Sequence, residues 1–238
     1  GFGTVYFLAR MLEHQGETME GKRLLVSGFG NMSWGVCRKA AQLGGRVVTL
    51  SGPDGYIYDP DGVATQEKYD FMVEMRCSGE DRVEPYAERF GVAFYPGRKP
   101  WEVPGDAAIP CATQNELTVD AARALIKNGC FAVAEGANMP ATAEALRLLR
   151  LSPRVLTAGA KAAGSGGVAV SALEMVQNSL RYSWSRREVD EKLRGIMSSI
   201  YDASAAAAEA YGLGYDLIAG NDIAAFKKIA DAMIAQGL

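Results

Sequence analysis

Gly28 and Gly30, followed by the small residue Ser33, sit in the string VSGFGNMSWG over residues 26–35. Glycine, any residue, glycine, then a third small residue three positions on is the spacing that brings backbone amides against a pyrophosphate. Gly28 permits a tight turn, Gly30 lets amides approach closely, and a helix opening there adds its dipole. The third position usually packs helix against strand, a task that serine can share with glycine. The chemistry on offer is dinucleotide binding, with Phe29, Asn31 and Met32 carried in the same turn.

Which dinucleotide is a matter of charge after the next strand. NAD sites place an acid there for the ribose hydroxyls, whereas NADP sites offer positive charge to a 2′-phosphate. The stretch TLSGPDGYIYDPDG (49–62) holds Asp54, Asp59 and Asp61 and no lysine or arginine. Ser51, Gly52, Pro53 and Asp54 are its candidates, Gly52-Pro53 forming a turn first. Asp54 has two readings, ribose contact or solvated turn aspartate, and its charge opposes a 2′-phosphate in both. NAD is favoured.

Such a turn needs a strand before it, a helix after it and a second strand beyond. RLLVS (23–27) reads as a buried strand, 31–43 as a helix stopped by Gly44-Gly45, and RVVTLS (46–51) as the next strand. Residues 56–65 make a turn or hairpin excursion. Helices follow over 66–77 and 83–90, strands over 92–95 and 107–110, a helix over 119–128 and a strand over 131–135. A helix over 141–149 and a strand over 154–159 complete the alternation. Val5, Leu8 and Leu12 give the N-terminus helical spacing. From Gly167 on the chain is nearly all helix, over 171–184, 189–211 and 223–235. Alternation of this kind predicts an α/β fold, Rossmann-like and doubly wound, with a mostly parallel sheet, helices on both faces and a helical C-terminal segment.

Composition narrows the function classes. A chain of 238 residues with 48% apolar and 22% charged residues has ample core, and its net charge of −3 argues against a nucleic-acid partner. No apolar run reaches the roughly 20 residues that cross a bilayer. Cys37, Cys77, Cys111 and Cys130 are scattered without a CxxC pair or neighbouring histidine, which favours reduced thiols in a cytoplasmic protein over a metal or disulfide framework. His14 is the one histidine, read as a capping or solvent-facing residue. The chain opens on Gly1 and runs directly into a helical pattern, as a piece of something longer would.

Longer strings carry a resemblance. PCATQNEL (110–117), AEGANMP (134–140), GGVAVSALEM (166–175) and KIADAMIAQG (228–237) resemble the cofactor domain of hexameric glutamate dehydrogenases, over essentially all 238 residues. LSGPDGYIYDPDG (50–62) looks most like the NAD-dependent, clostridial-type members. The resemblance implies that residues 1–238 are the C-terminal, NAD-binding domain of an enzyme that interconverts L-glutamate with 2-oxoglutarate and ammonia. It places the catalytic lysine and aspartate in a domain before Gly1, so no catalytic residue is expected here and the fragment alone is expected inactive. The parent would be a homo-hexamer and this piece a monomer or weak dimer, its terminal helix over 218–238 docking toward the absent domain.

By the same resemblance Gly28 to Asn31 hold the pyrophosphate, with Asn31 near the adenosine half. Cys111, Ala112, Thr113, Gln114, Asn115, Ala137 and Asn138 run along the ribose and nicotinamide. Ser171, with Val168 on the same segment, corresponds to the contact with the substrate's side-chain carboxylate. The residues by themselves leave blander readings open: turn and cap chemistry for Gln114, Asn115 and Asn138, a self-bonded helix-face serine for Ser171, and a small buried thiol for Cys111. Lys161 reads as a phosphate or inter-domain contact. Two departures from the family pattern stand out: KAAGSGGV lacks a side-chain amide at Gly164, and AGNDIAAF replaces the usual string near Gly220 and is expected to shift a helix cap. A leucine or phenylalanine dehydrogenase, or a free-standing NAD-binding regulatory module, are the alternatives.

Overall fold

The computed structural model describes residues 1–237; Leu238, the last residue of the expected terminal segment, lies outside them. Helix α1 (Phe2–His14) leads into β1 (Arg23–Val26), the glycine turn, α2 (Asn31–Gln42) and β2 (Arg46–Val47). Strands β3 (Thr49–Ser51) and β4 (Gly55–Tyr58), helices α3 (Gln66–Cys77) and α4 (Glu84–Phe90) and strand β5 (Ala93–Pro96) follow. Beyond them come β6 (Ala107–Ile109), α5 (Val119–Lys127), β7 (Ala132–Ala134), α6 (Ala143–Leu151) and β8 (Leu156–Ala158). Helices α7 (Ala160–Ala163), α8 (Gly166–Leu180), α9 (Arg186–Ala210) and α10 (Leu217–Ala235) finish the described chain.

Five of these strands form a parallel sheet in the order β2-β1-β6-β7-β8. Because alternate residues point to opposite faces, β1 sends Leu24 and Val26 into one core and Leu25 into another. The first core lies under α1, α2 and α9; the second packs Leu25, Ala108 and Val133 against Leu125 of α5 and Leu149 of α6. A sheet covered on both faces needs near-continuous apolar strands, and β1, β6 and β7 supply them.

The strand expected over 46–51 is two strands. Val47 pairs with Leu24 in the parallel sheet, but Thr49 to Ser51 pair antiparallel with β4, which pairs in turn with β5. Side-chain hydroxyls make the break possible. Thr49 Oγ1 accepts from the Val26 amide at 2.9 Å and donates to the Val26 carbonyl at 3.0 Å, standing in for a ladder partner. Ser51 Oγ accepts from the Gly28 amide at 3.0 Å.

Helix starts also moved. The expected 171–184 helix runs from Gly166 to Leu180, and at its start Gly166 packs on Gly3, where a Cβ would come within 2.8 Å of the Gly3 Cα. The expected 189–211 helix begins at Arg186 behind a Ser185–Glu188 capping box, and the terminal helix begins at Leu217 behind Asp216, six residues before the start that spacing gives and one before the 218 that the resemblance gives. His14 stacks on Tyr215 with ring centroids 4.0 Å apart, a partner that its position near a helix end did not suggest.

Candidate functional site

The chain leaves β1 to one side toward β2 and returns on the other side at β6, so the carboxyl ends of β1 and β6 bracket a crevice. Ligands of open α/β sheets bind at such a switch point. A cavity of about 550 Å³ opens there, walled by Gly28, Phe29 and Gly30 of the turn, Ser51, Gly52 and Pro53 after β3, and Cys111, Ala112 and Thr113 after β6. That volume suits a small-molecule or cofactor ligand.

The local chemistry follows from the backbone. Gly28 has φ +76, and a Cβ on it would lie 3.0 Å from Ser33 Oγ and 3.2 Å from the Ala112 Cα. Gly30, by contrast, has nothing within 4 Å of a built Cβ, so its face is open. Ser33 Oγ donates to the Ser27 carbonyl at 2.9 Å, which is how serine ties helix to strand at the third position of the turn. Helices α3, α5, α6, α9 and α10 each start on a Thr, Ser or Asp side chain that accepts a first-turn amide. Helix α2 starts on Gly30 with no side-chain cap. Its first-turn amides and dipole therefore remain available to an anion.

Several expected residues stand off this cavity. Asn31 begins α2 and accepts a hydrogen bond from the Arg76 guanidinium. Met32 packs toward Gly136, and the Gly136 and Ala137 amides donate to the Pro110 carbonyl at 3.1 and 2.9 Å. Gln114, Asn115 and Asn138 are exposed on the loops after β6 and β7. Asn115, at φ 56, donates its amide to the carbonyl of Met139, itself at φ 50, so the two loops are zipped edge to edge. Val168 and Ser171 lie exposed on α8, outside the cavity, and among the described residues Ser171 makes no hydrogen bond to its own backbone.

Asp54 is not solvated as a turn aspartate would be. Its carboxylate accepts from the Val83 amide at 2.9 and 3.0 Å and from the Glu84 amide at 2.9 Å, capping α4 from a distance. Asp59 is buried against Lys68 at 2.6 Å and Tyr86 at 2.8 Å, and Asp61 is exposed on a turn. The charges that border the cavity are instead Arg76, Glu80, Asp81 and Lys99. Only folding brings the end of α3 and the segment before Pro100 to this place, and neither carries a spacing signal. Asp54→Ala should cost roughly 1–2 kcal/mol through the lost cap, read as a lower midpoint in urea.

Cys111 lines the wall as a neutral thiol: burial pushes its pKa up to about 12. Burial likewise holds Cys130 up to about 12 and Cys37 well above the usual thiol range, whereas Cys77 is exposed. Iodoacetamide on the native chain at about pH 8 should therefore modify Cys77 alone. Peptide mass mapping that finds Cys111 alkylated at a similar rate would contradict the buried wall.

A family model described as glutamate/leucine/phenylalanine/valine dehydrogenase matches residues 1–237. The chain belongs to that family. An NAD-specific glutamate dehydrogenase of Clostridium symbiosum is 52% identical over 238 residues, covering 100% of this chain and 53% of the relative. An NADP-specific glutamate dehydrogenase of Haemophilus influenzae is 45% identical over 243 residues, again covering 100% and 53%. Among solved structures, a glutamate dehydrogenase superposes with a TM-score of 0.98 at 52% identity, covering 100% of this chain and 53% of that one. A Plasmodium falciparum glutamate dehydrogenase gives 0.94 at 40% identity, covering 100% and 51%. The chain spans about half the length of the curated relatives it matches.

Within this dehydrogenase family, both departures have a structural context here. A Cβ on Gly164 would lie 2.6 Å from the Ala160 carbonyl oxygen and 3.2 Å from that of Gly136, so glycine admits the close approach of α7 to the loop after β7. The cap of α10 is Asp216, and Gly220 lies further on, inside the helix and buried against Ser204 and Ala208 of α9. Lys161 is exposed and faces Asp222 at 3.2 Å, a contact within the described chain.

Proposed function

We propose that this chain is the NAD-binding portion of a glutamate dehydrogenase. The observation that carries the reading is the uncapped start of α2 at Gly30, opening onto a cavity of about 550 Å³ at the switch point of the sheet. The residues fit a dinucleotide: Gly30 leaves room for a pyrophosphate, the uncapped first turn of α2 would receive it, and the relatives include NAD-specific enzymes of 52% and 49% identity. When bound, the nicotinamide supplies the hydride-accepting group of the reaction. The chain's own residues that wall the cavity would bind and orient it: Gly28, Phe29 and Gly30 at the pyrophosphate, Ser51, Gly52 and Pro53 toward the adenosine side, and Cys111, Ala112 and Thr113 toward the nicotinamide.

Arg76 and Lys99 beside the cavity give a 2′-phosphate some attraction, while Glu80 and Asp81 oppose it. The reading is thus a preference for NAD(H) and not exclusion of NADP(H). Calorimetric titration should show NADH binding more tightly than NADPH; equal affinities would remove the reading of preference, and no binding of either would remove the cofactor.

In the complete protein, interconversion of L-glutamate with 2-oxoglutarate and ammonia would use Val168 and Ser171 of α8 at the substrate, with proton-transferring groups supplied from outside this chain. This chain alone should then form no NADH from glutamate. Phe226, Ile229, Met233 and Ile234 of α10 are exposed at 67%, 60%, 45% and 72%. That apolar stripe fits a helix completed by further chain, in a parent that assembles as a homo-hexamer and a fragment that is a monomer or weak dimer. Four free cysteines suit a reducing compartment such as the cytoplasm, and no described helix is long and apolar enough to cross a membrane.

A further inference from the structure

Glu135 directly follows β7 and Glu116 lies on the loop after the neighbouring β6, and each ties down a loop of the crevice. Glu135 is 4% exposed and uses both oxygens, Oε1 accepting from the Ala141 amide at 3.2 Å and Oε2 from the Ala160 amide at 3.0 Å. Glu116 is different. Its Oε1 accepts from Ser27 Oγ at 2.6 Å and from the Ala112 amide at 3.0 Å, while Oε2 is buried and makes no hydrogen bond, the Thr113 amide being a weaker neighbour of the carboxyl. Ser27 Oγ also accepts from the Cys111 amide at 2.8 Å.

These bonds cross the cavity's foundation. Ser27 immediately precedes Gly28, and its carbonyl receives Ser33 Oγ, so it belongs to the glycine turn. Cys111 and Ala112 form the facing wall. One carboxyl oxygen therefore holds both walls through a hydroxyl and an amide. We infer that Glu116 is a positioning residue of the dinucleotide cavity, clasping the 111–113 wall to the Gly28 turn by reach and acceptor geometry and not by charge. Resting on the cofactor reading above, this deepens it with a residue that touches no part of the cavity surface.

Two features support the inference. An ionised carboxylate with one buried, unpartnered oxygen carries a large desolvation cost. Burial accordingly pushes the Glu116 carboxyl above the usual carboxylate range, against the smaller opposing effects of its hydrogen bonds and of Lys99. The length of the side chain also matters, because the same Oε1 must reach the strand end and the loop amide together.

The test compares three substitutions in this chain, by NADH fluorescence titration and by hydrogen exchange at the Cys111 and Ala112 amides. Glu116→Gln keeps the length and the acceptor and removes the charge; it should bind NADH within about threefold of the unsubstituted chain and keep both amides protected. Glu116→Asp keeps the charge and loses the reach; it should bind about tenfold more weakly, with both amides exchanging faster. Ser27→Ala, which removes the bridging hydroxyl, should follow Glu116→Asp. Tight binding by Glu116→Asp with weak binding by Glu116→Gln would overturn the inference in favour of a charge role. Unchanged binding and exchange in all three would overturn it outright. Should the unsubstituted chain not bind NADH, the cofactor reading fails by itself, and the exchange of the two amides in the Gln and Asp variants still decides the clasp.

Discussion

Gly28→Ala is expected to weaken NADH binding by about tenfold or more while the chain stays folded. Gly28 stands at φ +76, where a side chain costs roughly 1–2 kcal/mol; a free chain that relaxes the turn to escape this strain must restore it on binding, and each 1.4 kcal/mol so restored is a factor of ten in affinity. Sterics add to this, since the new methyl would meet Ser33 Oγ at 3.0 Å and the backbone at Ala112 at 3.2 Å. The hydroxyl can rotate, but the Ala112 Cα belongs to the facing wall and can yield only by widening the crevice. The relieved turn would also draw the α2 amides off their line into the cavity. Gly30→Ala makes the informative comparison: its φ of −80 is ordinary and the space around it is open, so the folded chain should accept the methyl. Any loss of NADH affinity in Gly30→Ala at unchanged stability would then come from the ligand meeting that methyl. NADH titration of Gly28→Ala with the affinity of the unsubstituted chain would mean that the turn does not form the cofactor site.

Gly220→Ala is expected to have the larger effect on stability. A Cβ there would lie 2.0 Å from the Ser204 carbonyl oxygen and 3.0 Å from the Ala208 Cβ, so α10 cannot keep its place on α9. Backbone oxygen cannot turn aside as a side chain can. Overpacking of this kind costs about 1–3 kcal/mol, and in a domain of this size each kcal/mol lowers the melting temperature by about 2–4 °C. Hydrogen exchange should place the damage in α9 and α10, with β1, β6 and β7 protected as before. Phe226→Ser on the exposed side of the same helix should change stability by less than about 0.5 kcal/mol. If Gly220→Ala were as neutral as Phe226→Ser, the first turns of α10 would not be held by this crossing, and the helix would depend on contacts outside the described chain.

The order of strands and helices was legible because it is written in local patterns. RLLVS and FAVAE are apolar runs bounded by turn residues, and 66–77 and 119–128 carry helical spacing, so α3 and α5 begin where expected and end within a residue of it. The glycine turn was legible for the same reason: φ and close approach restrict the residue type at Gly28, whatever lies elsewhere in the chain. The break of 46–51 into β2 and β3 was not, because it depends on Thr49 finding Val26, a partner twenty-three positions away. Nor was the start of α8, where Gly166 meets Gly3.

By itself, then, the sequence determined the α/β alternation, the dinucleotide turn and its place between a strand and a helix, since each rests on neighbours in the chain. Tertiary structure decided which charges border the cavity. Asp54, conspicuous in the sequence, is spent on two amides of α4, whereas Arg76 and Lys99, with no motif around them, arrive from the end of α3 and from the segment before Pro100. It also decided that Glu116, in a loop read for its amides and glutamine, reaches back to Ser27. Local patterns report how a segment can bury its own backbone and apolar face. Which polar groups meet across the crevice depends on how far apart the packed elements stand, and that distance is a property of the whole core.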